Sequence, residues 1–311
     1  MRKDSLNISG GAAVNSAASV KARLMNISRE TGRTMDSLLV SYGIERTVFR
    51  MSVSRYVSNF TLKGGVFLYA MFQGGYSRAT IDLDFLMESL SNDEENMRRI
   101  FSEIFSVEAD DPLNYDLSSL RVTPITVLNE YHGVKVSVFA YLDRTRIPIS
   151  IDVGVGDVVF PCKVKMEFPV VLGETRPIIY AYSLCSCVAE KFEAVVSLGY
   201  DNSRFKDFYD LYVLAHSFDF DGEDLKGAIK ETFHNRGTDL KDIVAFEDEY
   251  SNNPLRMTRW NAFIKKKKAM VVISLKDTIT TIRKFLGPVV ESIENDAPFS
   301  EKWSYEEDNW V

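Results

Sequence analysis

Asp82 and Asp84 lie two residues apart in the apolar run "ATIDLDFLM" of a 311-residue chain. The alternation predicts a strand over residues 79–87, with Ile81, Leu83 and Phe85 on one face and Thr80, Asp82 and Asp84 on the other. Like charges on one face repel, and burying them unpaired costs several kcal/mol each. A divalent cation removes both costs. Mg²⁺ takes hard oxygen ligands, usually one or two carboxylates together with substrate phosphates. Asp152, in the alternating run "IPISIDVGVGD", offers a third carboxylate, and Gly154 and Gly156 leave space beside it for a bulky ligand. Three carboxylates on adjacent strands suit two metal ions about 4 Å apart, an arrangement for in-line displacement at phosphorus. A solvated strand face often carries a lone D-x-D, so the surrounding residues must decide.

Gly64 and Gly65 precede a predicted short helix, whose N-terminal N–H groups can hold phosphate. Farther along, "SLCSCVAEKFEAVVSLGY" predicts a helix with the apolar stripe Leu184, Val188, Val195 and Leu198. Lys191 falls inside that stripe, and an inward lysine needs a partner, either a triphosphate or a carboxylate. In "NSRFKDFYDLYVL", Arg204, Asp207 and Asp210 recur every three residues and share one side of a helix. Arg204 relieves part of the repulsion between the acids, and Lys191 or Lys206 could relieve more. Such acids form either a surface salt-bridge ladder or a device that orients the lysine and the nucleotide. Asp207, directly after the basic residues, is slightly favoured over Asp210.

The stretches "TLKGG", "YSRATIDLDF", "ISIDVGVGD" and "AEKFEAVVSLGYDNSRFKDFYDLYVL" resemble, in order, the successive motifs of the AbiEii/AbiGii toxin family. These are nucleotidyltransferase-like proteins of toxin–antitoxin and abortive-infection (phage-defence) systems. The resemblance runs over roughly residues 25–215. It implies a polymerase-β-like nucleotidyltransferase fold, NTP binding, Mg²⁺ dependence with one or two ions, and transfer of a nucleotidyl group. It implies metal binding by Asp82 and Asp84, with Asp152 completing the set or acting as base. Catalytic candidates are these three with Lys191, Asp207 and Asp210. Nucleotide-binding candidates are Lys63, Gly64, Gly65, Arg78, Thr80, Lys191 and Arg204. Gly65 stands where many nucleotidyltransferases outside the family have Ser. The resemblance further implies an RNA acceptor, the 3′ end of tRNA, whose modification would stop growth, and a cognate antitoxin with a winged-helix DNA-binding part. The alternatives are an NTP-binding module without turnover and nucleotidylation of a protein hydroxyl.

The elements that must position these residues are legible as an α+β pattern. Residues 15–58 read as helices, 65–73 as a short apolar helix and 92–106 as a helix. Residues 120–160 are strand-rich; "VKVSVFAYL" and "IPISIDVGVGD" are joined by "DRTR" as a hairpin. From about residue 180 the period becomes helical, with helices over 183–198, 203–215, 222–235 and 255–296. Strands first and helices later suggest a nucleotidyltransferase domain over residues 1–177, a mixed sheet with flanking helices, and a helical domain over 178–311. The boundary falls at "GETRP".

No run approaches the roughly 18–20 apolar residues of a membrane span, and the basic N-terminus lacks the apolar core of a secretory signal. Cys162, Cys185 and Cys187, odd in number and C-x-C in spacing, argue against disulfides or zinc, and three histidines leave little room for a His site. A reduced, cytoplasmic protein is expected. The net charge of −7 hides segregation: residues 255–286 carry nine Lys/Arg and one acid, and residues 287–311 one Lys and seven acids. In the basic stretch Trp260 and Phe263 stand beside Lys265–Lys268, as a surface for phosphate backbones and unpaired bases or as a solvated helix face over core aromatics. The acidic tail either folds over this stretch or stays mobile.

Overall fold

A computed structural model of the chain describes residues 16–76, 82–127, 130–173, 175–267 and 271–311. Arg78 and Thr80 of the nucleotide-binding candidates, Glu174 of the expected boundary and Lys268 of the lysine run lie outside the described residues. The chain forms two compact units, one within residues 1–74, 79–155 and 165–180, the other within residues 75–78, 156–164 and 181–311.

The first unit starts with α1 (Ala17–Thr31) and α2 (Met35–Val53), whose N-termini are capped by the Ser16 and Thr34 hydroxyls. Strand β1 (Phe60–Lys63) runs directly into α3 (Gly64–Met71), followed by β2 (Asp82–Met87) and α4 (Glu94–Phe105). Then come β3 (Leu113–Val127), β4 (Glu130–Leu142), β5 (Thr145–Gly154), β6 (Val164–Glu167) and β7 (Ile178–Ala181). They form one seven-stranded sheet in the order β3-β4-β5-β2-β1-β7-β6. Strands β2 and β5 run parallel, whereas β1–β2, β3–β4 and β4–β5 are antiparallel. The expected mixed α+β architecture is present.

Period-2 alternation gives this sheet a buried face and a half-open one. Val134, Val136, Val138 and Ala140 of β4 and Ile147, Ile149, Ile151 and Val153 of β5 are buried. Gly43 lets α2 lie directly on that face, because a Cβ there would come within 2.9 Å of both Ile147 and Ile149. The β4–β5 turn is tighter than "DRTR" suggests. Leu142 already pairs with Thr145, so only Asp143 and Arg144 make the turn, with Asp143 at φ 54°.

A buried ion network pins α2 to the start of β3. Asp111 accepts from Arg46 Nε (2.8 Å) and from Arg50 Nη1 (2.8 Å) and Nη2 (3.0 Å), and also caps the Leu113 N–H (3.0 Å). Burial alone would raise the Asp111 pKa; the two guanidinium groups outweigh it and hold the carboxyl below its ordinary value.

The second unit contains α5 (Leu184–Ser197), α6 (Phe205–Ala215), β8 (Phe220–Asp221), α7 (Gly222–Arg236), α8 (Asp248–Asn252), α9 (Pro254–Lys267), α10 (Leu275–Glu294), β9 (Lys302–Ser304) and β10 (Asn309–Trp310). The expected helical stretch over 255–296 holds two helices, because Ser274 caps a new N-terminus by accepting from the Asp277 N–H. The expected stripe on α5 is also corrected: Leu198 is 39% exposed and Leu184 half-buried, while the run Cys185–Ala189 is buried. The helix is enclosed on several sides. The acidic tail folds onto α10. Trp303 and Trp310 are buried beside Phe285, and Trp310 Nε1 donates to the Phe285 carbonyl (2.9 Å). All three cysteines are free, and burial pushes the Cys185 and Cys187 thiols up to about 12. No described helix is long and apolar enough to cross a membrane.

Removing one partner of a buried ion network leaves the others uncompensated. Asp111→Asn should therefore cost about 3–5 kcal/mol in chemical denaturation. The pH sign follows from the depressed pKa. The contribution is complete above the unfolded carboxyl value of about 3.9 and disappears as pH falls below it. Melting curves from pH 6 to 3 should lose more stability in the native chain than in the Asp111→Asn variant.

Candidate active site

The strand registers set the site. In the parallel β2–β5 pairing Asp84 lies opposite Asp152, and Asp82 opposite Ser150. In β4–β5, Lys135 lies opposite Asp152, and in β1–β2, Lys63 lies opposite Asp84. Residues in register point to the same face. One rank therefore crosses four strands of the half-open face as Lys135, Asp152, Asp84, Lys63. Asp82 stands two residues along β2 on the same side. All five are half-buried.

Lys135 Nζ sits 3.2 Å from Asp152 Oδ1, an ion pair whose angle falls short of a hydrogen bond. Burial would lower the Lys135 pKa; Asp152 first, and Asp82 and Asp84 at longer range, outweigh it and raise it. Gly133, across from Gly154 two residues along the strands, leaves bare backbone next to this rank.

Gly64 closes the rank's other end. It sits at φ 68°, where a side chain is strained, and a Cβ there would overlap the Asp84 carboxylate. The N-terminus of α3 therefore starts against Asp84, with Gly65 buried in its first turn. The positive end of that helix favours anionic groups, whether Asp84 or a phosphate.

The donor chemistry suits a divalent cation. Three hard-oxygen ligands stand on neighbouring strand positions, and Asp152 Oδ1 is a buried oxygen that accepts no hydrogen bond. As the side chains stand, among the described residues no three acidic, histidine or cysteine groups surround one point. Asp84 leans on Gly64 and Asp152 on Lys135.

In the second unit, Lys191 is 8% exposed. Its ammonium donates to Asp210 Oδ2 (2.5 Å) and lies 3.6 Å from Asp207 Oδ1. Arg204 Nε, just ahead of α6, is 2.8 Å from Asp207 Oδ2, and the Tyr76 hydroxyl donates to Asp210 Oδ1. The inward lysine thus has carboxylate partners, with the shorter contact to Asp210. Among the described residues two cations and two anions meet in this cluster.

The family described as "Nucleotidyl transferase AbiEii toxin, Type IV TA system" matches residues 46–273, the greater part of the chain. The chain belongs to this family. It is a nucleotidyltransferase toxin of a type IV toxin–antitoxin system, and the match spans both the carboxylate rank and the Lys191 cluster. The match continues past the sequence resemblance, which ended near residue 215, to include α9. Among solved structures, MenT4, a nucleotidyltransferase toxin from Mycobacterium tuberculosis H37Rv, is similar at 13% identity and TM-score 0.49, covering 88% of this chain and 98% of that one. JHP933 from Helicobacter pylori is similar at 13% identity and TM-score 0.46, covering 82% and 93%. No curated protein matches the chain.

The structure brings Asp82, Asp84, Asp152, Lys63 and Gly64 together in the first unit, and Lys191, Arg204, Asp207 and Asp210 in the second. Sequence reasoning missed Lys135 and Tyr76. Counting back from a two-residue turn would have placed Lys135 opposite Asp152; Tyr76 carries no comparable signal. Of the two readings of Trp260 and Phe263, the structure bears out the core one. Trp260 is fully buried, its Nε1 donating to the Ile273 carbonyl (2.8 Å), and half-buried Phe263 packs on Phe205, Tyr209 and Trp260. Their apolar surface is spent on the core, while Arg259, Lys265 and Lys266 remain exposed.

Two outcomes follow for stability. Gly64→Ala should lose roughly 1–2 kcal/mol from the left-handed backbone alone, and more from the overlap with Asp84. Lys191→Met should cost about 3–5 kcal/mol by leaving buried acids underpaired. Adding Asp210→Asn should restore part of that loss, and urea titrations of the three variants measure the coupling.

Proposed function

We propose that this nucleotidyltransferase uses an NTP with Mg²⁺ and transfers the nucleotidyl group to a hydroxyl at the 3′ end of tRNA. The observation that carries the reading is the register of Asp84 with Asp152 beside the glycine-started helix α3. Asp82, Asp84 and Asp152 would hold one or two divalent ions, which supply positive charge to offset what builds on the phosphoryl oxygens. The amides of Gly64 and Gly65 and the Lys63 ammonium receive the phosphates, together with Arg78 and Thr80 from the motif that also carries Asp82 and Asp84. Asp152 completes the ligand set or takes the proton from the attacking hydroxyl. The acceptor oxygen bonds to the α-phosphorus, the α–β bridging bond breaks, and pyrophosphate leaves with that electron pair.

Lys191 is the phosphate-binding lysine of this reading. Asp210 and Asp207 pair with its ammonium and fix its rotamer, and Arg204 assists with the nucleotide. Residues 1–177 carry the transfer chemistry, and residues 178–311 the lysine and aspartate motifs and the basic segment. On α9 and α10, exposed Arg259, Lys265, Lys266, Lys276 and Arg283 support an RNA acceptor, because phosphate backbones bind such surfaces. The protein acts in the cytoplasm, where tRNA modification halts growth in phage defence and a neighbouring antitoxin restrains it.

The test incubates the protein with Mg²⁺, each α-labelled NTP and total tRNA. Label is expected at the tRNA 3′ end. Label in protein alone would replace tRNA by a protein hydroxyl, and NTP binding without label anywhere would leave only a binding module. Asp84→Asn and Asp152→Asn should each lower transfer by about 10²-fold or more, since several kcal/mol of charge stabilisation is lost, with melting temperature kept.

A further inference from the structure

The carboxylate rank contains a cation that the family motifs do not include. Lys135 comes from β4, outside the four stretches that resemble the family, and its register places it opposite Asp152. Its Nζ is 3.2 Å from Asp152 Oδ1, the same oxygen that accepts no hydrogen bond. An ordinary cross-strand ion pair joins one acid to one base. Lys135 instead stands at the end of a rank of acids, with Asp84 in register beyond Asp152 and Asp82 two residues along β2 on the same face. Its side chain is 44% exposed, so the four-carbon stem can carry the ammonium away from Asp152 without disturbing the buried face.

We propose that Lys135 is the resident counter-ion of the carboxylate site. Its ammonium holds Asp152 while no divalent cation is bound, competes with that cation for Asp152, and yields when a nucleotide's phosphates offer it a new anionic partner. The inference rests on the reading of Asp82, Asp84 and Asp152 as cation ligands. Its consequence is a coupling: the cation binds weakly alone and more tightly with nucleotide, because the phosphates accept the displaced charge. The ammonium and a dication cannot share one carboxylate oxygen without repulsion, which at a few ångströms is large even in a well-screened site.

Mn²⁺ binding to the full chain, followed by electron paramagnetic resonance, tests this without reference to turnover. Binding is measured alone and with an NTP analogue that cannot be cleaved at the α–β bond. Lys135→Met should bind Mn²⁺ alone about tenfold more tightly than the native chain, from removal of one nearby positive charge. It should also gain less from the analogue. Lys135→Arg should behave like the native chain, and Lys135→Gln provides a second neutral variant should the methionine disturb folding. Equal or weaker Mn²⁺ affinity in the neutral variants, with binding abolished by Asp152→Asn, overturns the role of Lys135 alone. Absence of Mn²⁺ binding in the native chain and in both neutral variants, with or without the analogue, overturns the carboxylate reading and this inference together.

Discussion

The parallel pairing of β2 with β5 sets Asp84 and Asp152 side by side. Adjacent strands lie about 4.8 Å apart, so the backbones of two aspartates in register cannot separate without breaking the ladder between them. Their side chains lean apart, Asp84 toward Gly64 and Asp152 toward Lys135, and nearby positive charge compensates the repulsion that remains. The flanking strands provide lysines at the same level, Lys135 on one side and Lys63 on the other. The rank has two anions in the middle and one cation at each end.

The glycine that begins α3 serves the same constraint. Asp84 occupies the space that a side chain at residue 64 would fill, so the helix can start against the carboxylate only if that residue is glycine. Backbone strain at φ 68° is accepted there because glycine bears little of it. A helix N-terminus brought this close adds a partial positive charge to the lysines. Sheet register, helix position and glycine placement all act on the same two negative charges.

The strands, the early helices and the face that carries the carboxylates could be read from alternation and helical period alone, because each residue's environment follows from its neighbours. Asp82, Asp84 and Asp152 were legible for that reason. The Lys135–Asp152 pairing depends on turn length, and reading Asp143–Arg146 as a four-residue turn shifts the register by two. The break between α9 and α10 was written in Ser274 and Asp277, a capping pair obscured by the apolar run "MVVISL". Trp260 was ambiguous, since an aromatic beside lysines looks alike whether it stacks on a base or on Phe205. Only the packing of α9 decides it.

The chain handles buried charge in three ways, and the differences separate scaffold from site. Asp111 is enclosed by Arg46 and Arg50, with side-chain exposures of 0%, 3% and 4%; that network is dry, and opening it would strand charge. Lys191 and Arg204 are each in contact with an acid of α6, Lys191 with Asp210 and Arg204 with Asp207, so among the described residues every charge of this cluster meets an opposite one. The carboxylate rank is different. Among its described residues Asp82, Asp84 and Asp152 outnumber Lys63 and Lys135, all are half-exposed, and one oxygen accepts no hydrogen bond. A fold selected only for stability would gain by neutralising that excess with one more cation or by replacing an aspartate, since breaking up like charges is inexpensive on a half-open face. Leaving a negative excess where water and ligands can reach it keeps an affinity for added positive charge in reserve. That reserve is what a nucleotide arriving with a divalent cation would use.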